Sequence, residues 1–131
     1  MQTAYWPEKK VLVVDDSVTI RRGAELFLAP TGAQLFFAVD GVDGVAKTAE
    51  CQPDIIFCDV LMPRMDGYQA CTAIKRNESY SKTPVVMLSG KDGSYDRARG
   101  VLAGADYYMT KPFTSDELIK VCSFFFNKKE A

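Results

Sequence analysis

The chain has 131 residues, 47% of them hydrophobic, with 25% charged residues and a formal net charge of −1. That size suits one domain around one core, and that composition excludes a disordered chain. The near-neutral charge argues against non-specific nucleic-acid binding, and no apolar run approaches the roughly 18 residues of a membrane span.

Residues 1–8 read as a loosely held lead-in, in which Tyr5 and Trp6 could cap one end of the core, and lack the apolar stretch of a signal peptide. Residues 10–14, KVLVV, form a continuous apolar run, as expected of a strand covered on both faces. The run ends in Asp15-Asp16. Ser17 is a helix N-cap candidate. Ile20, Gly23, Ala24, Phe27 and Leu28 then recur at helical spacing, until Pro30 and Gly32 end the helix. Residues 34–39, QLFFAV, give a second strand and Asp40-Gly41 a turn. A helix over 42–50 is expected to turn Val45, Ala46 and Ala49 inward.

Residues 53–67, PDIIFCDVLMPRMDG, give a third strand. Ile55, Ile56 and Phe57 are apolar without alternation, and the strand ends on Asp59. A short loop follows, with Asp66-Gly67 read as a turn. A third helix spans 68–76 with Ala70, Ala73 and Ile74 toward the core. The polar loop NESYSKT leads to a fourth strand, VVML, which ends in Ser89-Gly90. A helix over 95–103 stops at Gly104-Ala105. A short strand over 106–109 precedes TKPF (110–113). The capping box Thr114-x-x-Glu117 opens a last helix that reaches about residue 126.

Five β-α alternations imply a parallel sheet with helices on both faces, an α/β doubly wound fold. In such a sheet the C-terminal strand ends share one edge, where ligands collect. Asp15, Asp16, Asp59, Ser89 and Lys111 therefore converge. Singly, each has an ordinary reading: Asp15 and Asp16 as helix caps, Ser89 as a turn residue, Lys111 as a solvated lysine. Their convergence is what those readings leave unexplained.

Three adjacent carboxylates raise one another's pKa, and a hard divalent cation removes that penalty. Mg²⁺, with Mn²⁺ as a substitute, fits an all-oxygen donor set. The chain has no histidine, and Cys51, Cys58, Cys71 and Cys122 show no C-x-x-C spacing. Reduced structural thiols in a cytosolic protein are expected rather than zinc ligands or disulfides. Asp59 could then act as a nucleophile and form an acyl phosphate, with the metal and Lys111 neutralising charge in transfer. No G-x-G-x-x-G or G-x-x-x-x-G-K-[ST] follows a strand, which disfavours nucleotide-binding classes. DGVDG (40–44) does not fit the alternating EF-hand pattern.

VLVVDDS (11–17), IIFCDVLMPRMDG (55–67), MLSGKDG (87–93) and YMTKPF (108–113) together resemble the receiver domain of two-component response regulators over about residues 9–126. The resemblance implies a CheY-like, flavodoxin-like (βα)5 domain with strand order 2-1-3-4-5. It implies Asp59 as the phosphoacceptor. Asp16 would bind Mg²⁺ directly, Asp15 through water, and Leu61 through its backbone carbonyl. Ser89 would hydrogen-bond the phosphoryl group and Lys111 would pair with it. Tyr108 matches the switch aromatic, and Lys111-Pro112 would be cis. Leu61 and Lys91 occupy the positions that tune phosphoryl lifetime.

DDSVTIRRGAE (15–25), MPRMDGYQAC (62–71) and SGKDGSYDRARG (89–100) resemble, more narrowly, the pilus-linked chemosensory regulators of twitching motility. That implies a histidine kinase phosphotransfer domain as donor and a downstream protein target in type IV pilus control. The expectation is a stand-alone cytoplasmic receiver over 9–127 with a tail at 128–131. It would be a monomer or a weak phosphorylation-dependent dimer that neither binds nucleic acid nor inserts in a membrane. It would be no enzyme beyond its own phosphorylation and dephosphorylation. An aspartyl-phosphate phosphatase is the alternative, but that class resembles D-x-D after strand one, whereas Asp15 and Asp16 are adjacent. A receiver-shaped scaffold that is never phosphorylated is a third reading, which the full set of Asp and Lys residues disfavours.

On the last helix, Leu118, Val121, Cys122 and Phe125 recur at i, i+3, i+4 and i+7 and account for the core face. Ile119, Phe124 and Phe126 widen the apolar arc beyond that stripe. Some of it should stay exposed as a partner surface, continuous with the helix 4, strand 5 and helix 5 face used by the family.

Overall fold

The computed structural model describes residues 4–90 and 95–130. Strands β1 (Lys10–Val14), β2 (Gln34–Ala38), β3 (Ile55–Asp59), β4 (Val85–Ser89) and β5 (Tyr107–Thr110) form one sheet in the order β2-β1-β3-β4-β5. All neighbours run parallel. The doubly wound expectation holds. β3 and β4 are buried at every position, which is why neither shows apolar-polar alternation.

Helices α1 (Val18–Leu28), α2 (Gly41–Cys51), α3 (Gly67–Arg76), α4 (Arg97–Ala103) and α5 (Ser115–Glu130) cover the two faces. Because successive strand residues point to opposite faces, β1 feeds two cores. Val11 and Val13 pack with Ala24, Leu28, Leu118 and Cys122 beneath α1 and α5. Leu12 and Val14 pack with Ala70, Cys71, Ile74 and Ala103 beneath α3 and α4. Ser17 caps α1 through Ile20 N–H, and Thr114 and Glu117 exchange hydrogen bonds at the start of α5.

Several expectations change. α2 buries Gly41, Gly44, Thr48 and Cys51, while Ala46 and Ala49 are exposed. The helix lies so close to β1 that a Cβ on Gly44 would meet the Val14 side chain. The contact face is therefore its smallest residues rather than its most apolar ones. Asp66-Gly67 is the start of a helix: Asp66 caps α3 in a capping box with Gln69. A Cβ on Gly67 would strike the backbone of Asp59, so glycine is required where α3 meets the end of β3. Asp40 likewise caps α2.

The described part of the lead-in, residues 4–8, is docked rather than loose. Trp6 N–H donates to the Thr31 carbonyl at 2.7 Å. Its ring meets Phe126 edge-on, with 5.0 Å between centroids. Phe126 is consequently buried, at 1% exposure, and is no partner surface. Ile119 is half-buried against the same core. Phe124, at 60% exposure, is the member of the expected surface that faces outward. α5 runs on to Glu130.

Candidate functional site

The C-terminal ends of β1, β3 and β4 bring Asp15, Asp59 and Ser89 together, all three buried. Asp15, Asp16 and Asp59 each offer a carboxylate oxygen within 4.8 Å of the others. Asp16 is exposed, so the cluster opens to solvent on that side. Lys111 follows β5 and reaches across the sheet edge. Its Nζ donates to Asp59 Oδ1 at 2.9 Å and to Asp15 Oδ2 at 3.2 Å. The Lys111-Pro112 peptide is cis.

Asp15 is fixed from three sides. Its Oδ1 accepts from Ser17 N–H at 2.9 Å, its Oδ2 faces Lys111, and its backbone carbonyl accepts from Arg21 Nη1 at 2.6 Å. Burial pushes the Asp59 carboxyl up to about 6, against the opposing pull of its Lys111 hydrogen bond. Burial raises Asp15 as well. For Lys111 burial alone would favour the neutral amine, but the two carboxylates outweigh it and hold the ammonium charged. The cluster therefore carries a desolvation cost that one lysine offsets only in part. A hard cation on the same oxygens would remove more of it, so the residues present fit such an ion.

The Ser89 hydroxyl donates to the Gly90 carbonyl at 3.2 Å, a local bond it can exchange for another acceptor. Leu61 stands at the rim of the β3–α3 loop with its side chain 65% exposed. Lys91 lies outside the described residues. Tyr108 pairs with Met87 across β4–β5, two residues before Thr110 meets Ser89. Its ring is half turned to solvent, at 37% exposure.

Four contacts around this edge were not legible beforehand. Tyr95 stacks on Tyr108 and also on Tyr68. Arg64, with a left-handed backbone, binds Asp40 with two nitrogens. Arg21 holds the Asp15 carbonyl. Only Asp40 carried a local signal, its cap position before α2.

Among the described residues no helix is long and apolar enough to cross a membrane. The response regulator receiver domain model matches residues 11–123. The chain is 53% identical to Protein PilG of Pseudomonas aeruginosa over 110 residues, covering 84% of this chain and 82% of that protein. It is 34% identical to the DNA-binding dual master transcriptional regulator RpaA of Synechocystis, but spans only 46% of that longer protein. The chemotaxis protein CheY4 of Vibrio cholerae superposes with a TM-score of 0.83 at 32% identity, covering 89% of this chain and 98% of that one. A response regulator from Chloroflexus aurantiacus superposes equally well, at 30% identity, over 89% of this chain and 96% of its own.

Proposed function

The chain belongs to the response regulator receiver family, and from that premise we propose that Asp59 accepts a phosphoryl group from a histidine kinase phosphotransfer domain. The observation that carries this reading is the Lys111 ammonium held between Asp59 and Asp15 at a sheet edge lined with a third carboxylate. A structural salt bridge needs one acid; three acids around one lysine make a site poised for additional positive charge.

In the transfer, an Asp59 carboxylate oxygen attacks the phosphorus of a phosphohistidine. The phosphorus–nitrogen bond breaks, and its electron pair stays on the departing imidazole. The product is an aspartyl phosphate. Asp16, Asp59 and the Leu61 carbonyl would hold Mg²⁺, with Asp15 acting through water. The ion, when bound, supplies positive charge to the phosphoryl oxygens. Lys111 swings little: its ammonium already lies 2.9 Å from the acceptor and stays to pair with the new phosphoryl charge. The Ser89 hydroxyl leaves the Gly90 carbonyl and donates to a phosphoryl oxygen. Tyr108 then turns inward, changing the surface of α4, β5 and α5. Leu61 shields the phosphoryl group from water and lengthens its life.

The 53% identity to PilG supports a pilus-linked chemosensory role, with output through protein contact toward type IV pilus control. Binding of candidate partners with and without beryllium fluoride and Mg²⁺, which mimic the phosphorylated state, tests this reading. Preference for the fluoride-treated protein supports it. Equal binding by a kinase phosphotransfer domain and by every pilus-control target would reject it.

A further inference from the structure

The loop that follows the acceptor strand is fastened to a helix that carries none of the proposed site residues. Arg64 Nε and Nη2 both donate to Asp40 Oδ2, at 2.9 and 2.6 Å. Asp40 is 8% exposed, and its other oxygen caps α2 through Asp43 N–H at 2.8 Å. Next in sequence, Met65 lies against Gly41, so closely that a Cβ there would collide with the Met65 backbone and side chain. Arg64 itself has φ of +69°. A non-glycine residue holds that conformation only where its surroundings over-determine it. The ion pair and the Met65–Gly41 contact are those surroundings.

From this geometry we infer that Arg64 and Asp40 form a clasp that positions the β3–α3 loop, and thereby the Leu61 carbonyl and side chain, beside Asp59. The inference rests on the receiver reading for its consequence, but not for its structure. Among the described residues the loop's other ties are the half-buried Met62 and Met65 side chains against the core, the Asp66–Arg99 ion pair at 3.5 Å, and local backbone bonds. Met65 N–H donates to Pro63 within the loop, and Gly67 N–H closes back on Val60, both at 2.8 Å. Leu61 and Arg64 are both exposed and Met62 is only half-buried, so packing alone does not fix the segment between Val60 and Met65. A chain held at Val60 and Gly67 but free between them would sample several carbonyl directions at Leu61. The clasp selects one and ties it to the N-terminus of α2. Arg64 and Asp40 are positioning residues; neither touches the acceptor.

An exposed guanidinium makes this a modest device. Pairs of this kind change equilibria by a few-fold rather than by orders of magnitude. The test compares Arg64→Ala, Asp40→Asn and the double variant. Asparagine caps a helix as well as aspartate does, so Asp40→Asn removes the charge and keeps α2 intact. Two readouts are used on the full chain: amide hydrogen exchange, and Mg²⁺ affinity by calorimetry.

The expected result is about three- to fivefold faster exchange at the Met65 and Gly67 amides in either single variant, with unchanged exchange along α2. Mg²⁺ should bind about three- to fivefold more weakly. The double variant should resemble the singles, because both remove one interaction, and Arg64→Lys should restore part of each effect. Unchanged loop exchange and Mg²⁺ affinity in both singles would overturn the clasp, as would fully additive effects. If wild-type protein takes no phosphoryl group while loop exchange still responds as described, the receiver function fails and the clasp stands.

Discussion

Tyr95 lies nearly flat on Tyr108, with 4.4 Å between ring centroids and 17° between planes. The Arg97 guanidinium sits 5.8 Å from the Tyr108 ring, and the Tyr68 ring lies 6.1 Å from that of Tyr95. Tyr108 is thus held in its outward position by a partner from the β4–α4 connection. The inward turn proposed for Tyr108 would give up this stack, worth about 0.5–1.5 kcal/mol for an aromatic pair. Tyr95→Ala should therefore shift the Tyr108 equilibrium inward by about two- to tenfold without phosphorylation. Ring resonances of isotope-labelled tyrosine, compared with and without beryllium fluoride and Mg²⁺, report that shift. Unmoved Tyr108 resonances in the unphosphorylated variant would show that Tyr95 is not the restraint.

A proton and the proposed metal ion would compete for the Asp59 carboxylate. Burial raises its carboxyl to about 6 from an ordinary 3.8. The folded protein therefore binds this proton more tightly than the unfolded chain. The contribution to stability is present below 3.8 and is lost as pH rises through 6. Mg²⁺ needs the deprotonated oxygen, so its apparent affinity should weaken by about tenfold between pH 7.5 and pH 5. Calorimetric titration at the two pH values measures this. Equal affinities would mean either that the Asp59 carboxyl is still ionised at pH 5 or that it does not ligate the ion.

Phe124 and Phe126 are neighbours in sequence with opposite fates. Phe126 is closed under Trp6, so Phe126→Ala should cost about 3–5 kcal/mol in urea unfolding. Phe124 meets Phe125 edge-on at 5.1 Å and lines a groove of about 520 Å³ with Tyr107, Lys120 and Val121. Phe124→Ser should cost about 1 kcal/mol or less and leave Asp59 phosphorylation intact while weakening partner binding. Comparable destabilisation by the two substitutions would contradict this division of the helix.

Leu61 offers no polar group to orient water, and its side chain stands at the rim of the acceptor loop. Leu61→Asn should shorten the phosphoryl lifetime severalfold, followed as loss of the phosphorylated mass after donor removal. An unchanged or longer decay would remove Leu61 from that role.

The sheet was legible because buried parallel strands leave short apolar runs, and each run ends in a residue that the sheet must place on one edge. The caps at Ser17 and Thr114 were legible because they are local. The α2 face was not, because a helix seated close to a sheet buries glycine and threonine, which apolar periodicity passes over. Phe126 was misassigned for a different reason: the width of an apolar arc does not say which margin another segment covers, and Trp6 comes from the far end of the chain. Tyr95 and Arg64 gave no signal, since their partners lie 13 and 24 positions away.

The most direct measurement is the intact mass of wild-type protein and of Asp59→Asn after incubation with Mg²⁺ and a small phosphodonor. Wild type should gain one acid-labile phosphoryl group, lose that gain in excess chelator, and show none in the Asp59→Asn variant. Stoichiometric labelling of wild type in chelator, or of Asp59→Asn at any site other than a substitute such as Ser89, would contradict the assignment of Asp59 as the metal-dependent acceptor.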